Sequence, residues 1–102
     1  MIARHWTGLV KTSHANRYLV HLHHETIPAL RAISGFVDVS ILRRDVELGV
    51  EFLVITRWQS MGAIAKFAGR DLERAVVPTP VQDMMVAYDK TVRHYEVLPT
   101  PA

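Results

Sequence analysis

The sequence contains no cysteine, and that absence removes disulfide bonds, thiolate metal sites and cysteine nucleophiles together. Its 5 glycines are scattered singly, so no glycine-rich loop leads into a helix and the phosphate-loop and dinucleotide fingerprints are missing. Serine-nucleophile and zinc-protease signatures are missing too, and no cofactor is expected. No apolar run approaches the roughly 20 residues of a membrane span. Residues 1–6 carry no secretory apolar core, so the expectation is a cytoplasmic protein without a membrane partner. Neither sign of charge dominates: 12 Lys+Arg against 10 Asp+Glu leave +2, which argues against nucleic acid as a partner. What is present is 102 residues, 49% apolar and 22% charged, enough for one core and too few for two, together with 6 histidines.

Residues 2–10 alternate, with Ile2, Arg4, Trp6, Gly8 and Val10 against Ala3, His5, Thr7 and Leu9, which predicts a first strand. Thr12 and Ser13 are N-cap types, and Ala15, Tyr18, Leu19, Leu22 and Thr26 then share one side of a helical repeat. Pro28 is expected to kink or restart that helix, and Gly35 to end it. Residues 36–42 and 50–58 read as two strands of an antiparallel hairpin joined by a polar connection over 43–49. The second of these is apolar on both faces, with Phe52, Val54, Thr56 and Trp58 on one and Leu53 and Ile55 on the other. Ser60 is expected to cap a helix that buries Met61, Ile64, Ala65 and Ala68, with Phe67 at its flank and Gly69 as its stop. A further turn is expected over 71–77. Thr79, Pro80 and Gln82 form a capping-box pattern predicting a short helix to about residue 87, burying Val81 and Met84 or Met85. Residues 91–98 alternate again as a last strand, and 99–102 form a disordered tail.

This order is that of an α+β, ferredoxin-like βαββαβ domain over residues 1–98, with helices on one face of a four-stranded antiparallel sheet. Its other face is then open. The two-sided apolarity of the strand over 50–58 predicts that a second copy covers that face, giving a homodimer.

The run from Glu51 through Trp58 to Ser60, the helix ending at Phe67, the Gly35-Phe36 strand entry and the closing stretch from Val92 to Val97 resemble the antibiotic biosynthesis monooxygenase family of dimeric α+β barrels. The resemblance spans roughly residues 2–98. It implies a cofactor-independent monooxygenase: a small phenolic, anthrone or quinol-like aromatic is deprotonated in a pocket between sheet and helices, and the carbanion reacts with dioxygen. Carried over, the polyketide-oxidising branch's strand tryptophan falls on Trp58, its asparagine on Val54 and its helix tyrosine on Ile64. The haem-degrading branch's tryptophan falls on Phe67 and its axial histidine near Val77, where no imidazole stands to hold iron. The alternative is a non-catalytic dimer that binds a small hydrophobic ligand or serves as a scaffold.

Trp58 reads first as a core residue whose N–H finds a local acceptor, and second as a wall for an aromatic ligand. His21, His23 and His24 point in different directions on a helix, so they cannot all hold one metal. His21 and His24 read as a solvated face. His23 falls at the boundary between core and solvent, where a neutral imidazole suits a general base, and it is the candidate catalytic residue. Tyr18 and Tyr88 are candidates to line the cavity. His5 and His94 lie on neighbouring strands, Arg57 and Arg93 are expected to pair with Glu51 or Glu96, and Arg43-Arg44 read as a solvated turn.

Overall fold

The computed structural model describes residues 1–101 and places β1 (Ile2–Val10) on the residues where alternation predicts it. β3 (Gly49–Trp58) pairs antiparallel with one edge of β1, from Trp58 opposite Ile2 to Val50 opposite Val10. β2 (Phe36–Val46) lies outside β3, with a register shift between Phe36 and Asp38. Two short strands share the other edge of β1: β4 (Met85–Tyr88) beside residues 8–10 and β5 (Arg93–Glu96) beside residues 2–5. Five strands thus fill four lanes of the ferredoxin-like sheet. The closing lane is broken because residues 90–92 turn away to bond the chain at 73–75, with Ala75 N–H donating to the Lys90 carbonyl and Val92 N–H to that of Glu73.

Two boundaries differ from expectation. The hairpin does not open into a loop over 43–49, because Arg43 and Arg44 are strand residues. Arg43 lies over the Phe52 ring and Arg44 pairs with Glu51 across the ladder, so the strands run on and turn through Glu47 and Leu48 alone. The helix expected to reach residue 87 stops early: α4 spans Thr79–Gln82, and Met85–Tyr88 pair with β1. Thr79 does not cap it; Gln82 instead donates its side-chain N–H to the Val77 carbonyl. Met84 and Met85 are both buried.

One helical layer covers the sheet. Thr12–His14 form a 3-10 turn in which Thr12 and Ser13 cap nothing, followed by α1 (Ala15–His21), a π-helical turn (Leu22–Thr26) and α2 (Ile27–Arg31). Pro28 has no N–H for the His24 carbonyl, and the widened turn before it absorbs the mismatch, so the helix continues without a break. Gly35, at φ 95°, leads into β2, and a Cβ there would collide with that of Ala63. α3 (Met61–Ala68) is capped by Ser60, whose Oγ accepts from Ala63 N–H at 3.1 Å. It turns Ala63 and Ile64 inward and leaves Ala65 exposed.

The pleat sorts the sheet into two faces. Val50, Phe52, Val54, Thr56 and Trp58 of β3, opposite Val10, Gly8, Trp6, Arg4 and Ile2 of β1, face the helices. All five of those β3 residues are buried. The open face carries Ala3, His5, Thr7 and Leu9 against Arg57, Ile55, Leu53 and Glu51, with Leu42 opposite Leu53 and half exposed. Arg57 pairs there with Asp38 at 2.8 Å rather than with an expected glutamate, and Glu51 takes Arg44. Residues 99–101 are exposed and without regular structure, while Ala102, the rest of the expected tail, lies outside the described residues.

Candidate functional site

Beneath the helical layer the core falls into two clusters. One gathers Tyr18, Leu22, Phe52, Val54, Val81 and the methionines, and the other holds Leu30, Trp58, Ala63 and Ile64. Between them, at the cross-strand pair of Arg4 and Thr56, the apolar packing is interrupted and a cavity of about 80 Å³ opens. Trp6 and Val54 form its floor, Tyr18, His21, Leu22 and Leu30 its helical wall, and Phe67 with Val76, Val77 and Pro78 the side nearest the surface. A larger groove of about 480 Å³ lies against the other side of Phe67 and residues 76–78, flanked by Arg74, Tyr88 and Lys90.

Of the residues the sequence singles out, Val54, Phe67 and Tyr18 line the cavity. Trp58 and Ile64 do not. Trp58 lies behind Phe67, stacked on it at 5.9 Å and edge-on to Phe36 at 5.3 Å, and its indole N–H donates to Thr56 Oγ1 at 2.9 Å. Every edge of that indole is satisfied by the core, with Ile64 packed beside it and equally inaccessible. His23 is exposed and away from the cavity. His21, three residues on from Tyr18 in the regular helix and just before the π-helical turn, is the imidazole on the cavity. Tyr88 borders the outer groove, with Lys90 Nζ 4.0 Å above its ring.

Sequence reasoning missed Arg4. A single charge on the row of Ile2, Trp6 and Val10 was the available signal, since that row had to face the core. Arg4 is 4% exposed, and its guanidinium donates to the Leu72 carbonyl, to the Arg74 carbonyl at 2.9 Å and to His94 Nε2 at 2.9 Å, with the Phe67 ring 5.7 Å away. A guanidinium only donates, so His94 accepts through Nε2 and carries its proton on Nδ1. Burial, then the Arg4 charge, hold His94 below the usual imidazole value, with Glu73 opposing. Burial also pulls the guanidinium down to about 10, still charged at neutral pH. The Tyr18 phenol is pushed up by burial, so it stays protonated and can only donate or accept a hydrogen bond. His94 therefore faces the helix side, whereas His5 faces the open side against the Tyr95 ring at 4.8 Å.

No family model and no curated protein matches the chain. Solved structures do. A protein from Bacillus cereus named as an antibiotic biosynthesis monooxygenase superposes with a TM-score of 0.68 at 26% identity, over 100% of this chain and 95% of its own. The chain has the antibiotic biosynthesis monooxygenase fold. A Deinococcus radiodurans protein of the same designation matches at TM-score 0.68 and 17% identity over 100% of this chain and 97% of its own. The Mycobacterium tuberculosis haem degrader MhuD, solved with two haems in its active site, matches at TM-score 0.69 and 16% identity over the whole of both chains. Within this antibiotic biosynthesis monooxygenase fold, the residues found here do not fit haem. The inner cavity is far below the roughly 300 Å³ at which drug-sized pockets begin. His21 is the one imidazole on it. Among the described residues no group of three or more His, Asp or Glu is placed to hold a metal ion, and no helix is long and apolar enough to cross a membrane.

Proposed function

We propose that the chain binds a small aromatic molecule between its sheet and helices and oxidises it with dioxygen without a cofactor. The observation that carries this reading is the cavity itself, an apolar space walled by Trp6, Tyr18 and Phe67 with one imidazole, His21, on its helical side. Aromatic walls hold a ring, and a dry enclosure strengthens any charge that develops on it. The cavity is about half the 150 Å³ of an engineered site that takes benzene, so the substrate is a single ring and residues 76–78 yield to admit it. In the reaction His21 takes a phenolic proton and the ring anion passes electrons to dioxygen. One oxygen atom ends on a ring carbon, and the other leaves as water with two substrate hydrogens. A hydroquinone would thus give a hydroxyquinone, with the substrate as its own reductant.

Oxygen uptake with one-ring hydroquinones, measured against protein-free autoxidation, tests the reading. A general base is worth roughly 100-fold or more, so His21→Ala is expected to lose at least that, while His23→Ala keeps full activity. Uptake no faster than autoxidation, with tight binding of the same compounds, would favour the non-catalytic reading, which the apolar Val54 supports.

The open face is proposed to be covered by a second copy, since Leu42, Leu53, Ile55 and Tyr95 place apolar surface there with no helix over it. Light scattering should give twice the chain mass and Leu53→Asp a monomer; a monomeric wild type rejects the dimer.

A further inference from the structure

Arg4 is the one guanidinium in the core, and it makes no salt bridge with any described carboxylate. Its partners are two carbonyls and a neutral imidazole, none of which carries a compensating charge. A buried charge with no counter-ion is among the costliest arrangements in a protein. The alternative at this position is simple, since a leucine or valine would fill the space between the two core clusters.

The bonding of Arg4 is also incomplete. A guanidinium has five N–H donors, and three are used. Both hydrogens of Nη1 are taken, by the Leu72 carbonyl and His94, and one of Nη2 by the Arg74 carbonyl. The Nε–H and the second Nη2–H remain, on adjacent nitrogens that form the fork a carboxylate accepts in bidentate fashion. No buried side-chain nitrogen or oxygen among the described residues is without a partner, so the unshared Nε is not fully enclosed, and the space Arg4 borders is the cavity. The Tyr18 hydroxyl is in the same position: its residue is 2% exposed, lines the cavity and makes no hydrogen bond to another described side chain or backbone group. No aspartate or glutamate lines the cavity or the outer groove, whereas Arg4, Arg74 and Lys90 do.

We propose that the fork of Arg4 is a carboxylate-binding site and that the molecule taken into the cavity is a one-ring aromatic acid, its carboxylate supplying the counter-ion the core lacks. This rests on the reading that the cavity holds a small aromatic. A carboxylate fits better than a phenol because it is charged before any reaction, as the guanidinium is. The ring then lies among Trp6, Tyr18 and Phe67, and the cations of the outer groove draw the anion toward the wall at residues 76–78.

Titration calorimetry with benzoate, benzamide and hydroquinone on the wild-type protein is the experiment, with circular dichroism to follow the fold. Benzoate is expected to bind at least roughly tenfold tighter than its uncharged isostere benzamide, the scale of a charge-assisted pair in a dry site. In Arg4→Gln that preference should vanish, and in Arg4→Lys, which keeps the charge and loses the fork, it should shrink. If Arg4→Gln does not fold, the wild-type ratio and Arg4→Lys still decide. Equal affinity for benzoate and benzamide, or a preference that survives Arg4→Gln, overturns the site. Binding of hydroquinone without benzoate overturns it while leaving the proposed function intact, and binding of none of the three overturns both.

Discussion

The open face of the sheet and the buried middle of its covered face treat arginine in opposite ways. On the open face Arg44 meets Glu51 and Arg57 meets Asp38, each with solvent beside it. On the covered face Arg4 is surrounded by apolar side chains and meets no carboxylate. Exposed ion pairs contribute little and are tolerated because water does most of the solvating. A buried cation gets no such help, and here carbonyls, a neutral histidine and a ring face do the work instead. The comparison shows where folding alone accounts for a charge and where it does not. It accounts for Arg44 and Arg57 on the open face and leaves Arg4 for the cavity to explain.

The largest effect is expected on the covered face, away from the cavity. Trp58 fills the core beneath α3, so Trp58→Ala should lower the unfolding free energy by about 3–5 kcal/mol in urea titrations, without a change in what the cavity binds. Thr56→Val, which keeps the shape and removes the acceptor of the Trp58 N–H, should cost about 1–3 kcal/mol. A ligand affinity that falls in step with stability in Trp58→Ala would put the indole in the site and redraw the cavity.

Acid should act on both faces at once. His5 and His94 are each held below the usual imidazole value, first by burial and then by neighbouring arginines, Arg57 and Arg93 for His5 and Arg4 for His94. The unfolded chain therefore takes up these protons first, near pH 6.5, and the folded chain only at lower pH. Stability is at its full value above about pH 6.5 and is lost as pH falls from there through the depressed folded values. Unfolding midpoints at pH 7.5 and 5.5 should differ in that direction, and the difference should narrow in a variant with both His5→Gln and His94→Gln. A midpoint that rises on acidification would contradict the arrangement of both imidazoles.

Most of the fold was legible because it rests on local signals. The alternation of β1, the Ser60 cap and the positive φ at Gly35 all act within a few residues. What was not legible depended on tertiary partners. Residues 85–88 end as strand because β1 offers an unpaired edge that a short helix cannot fill. That His21 rather than His23 borders the cavity depended on where the chain at 76–78 closes over the helix, which the helical repeat does not specify. Arg4 was visible as an odd member of an apolar row, but its isolation became apparent only when the chain at 72–74 and His94 came to rest on it.

The smallest effect separates the faces most finely. Arg57 and Asp38 are partly exposed, at 33% and 55% of their side chains, so in a monomer Arg57→Ala should cost no more than about 1 kcal/mol and less still in high salt. The same substitution removes one of the charges that depress His5, so it should also make that imidazole easier to protonate, an upward shift readable by NMR titration. If a second copy covers this face, the pair is no longer at a wet surface. The loss should then exceed the monomer's at high protein concentration and shrink toward it as the protein is diluted to monomers, because part of it lies in association. A loss that stays small at every concentration would leave the open face to water, and would make Arg4 the only charged residue of the sheet whose burial still needs a ligand to explain it.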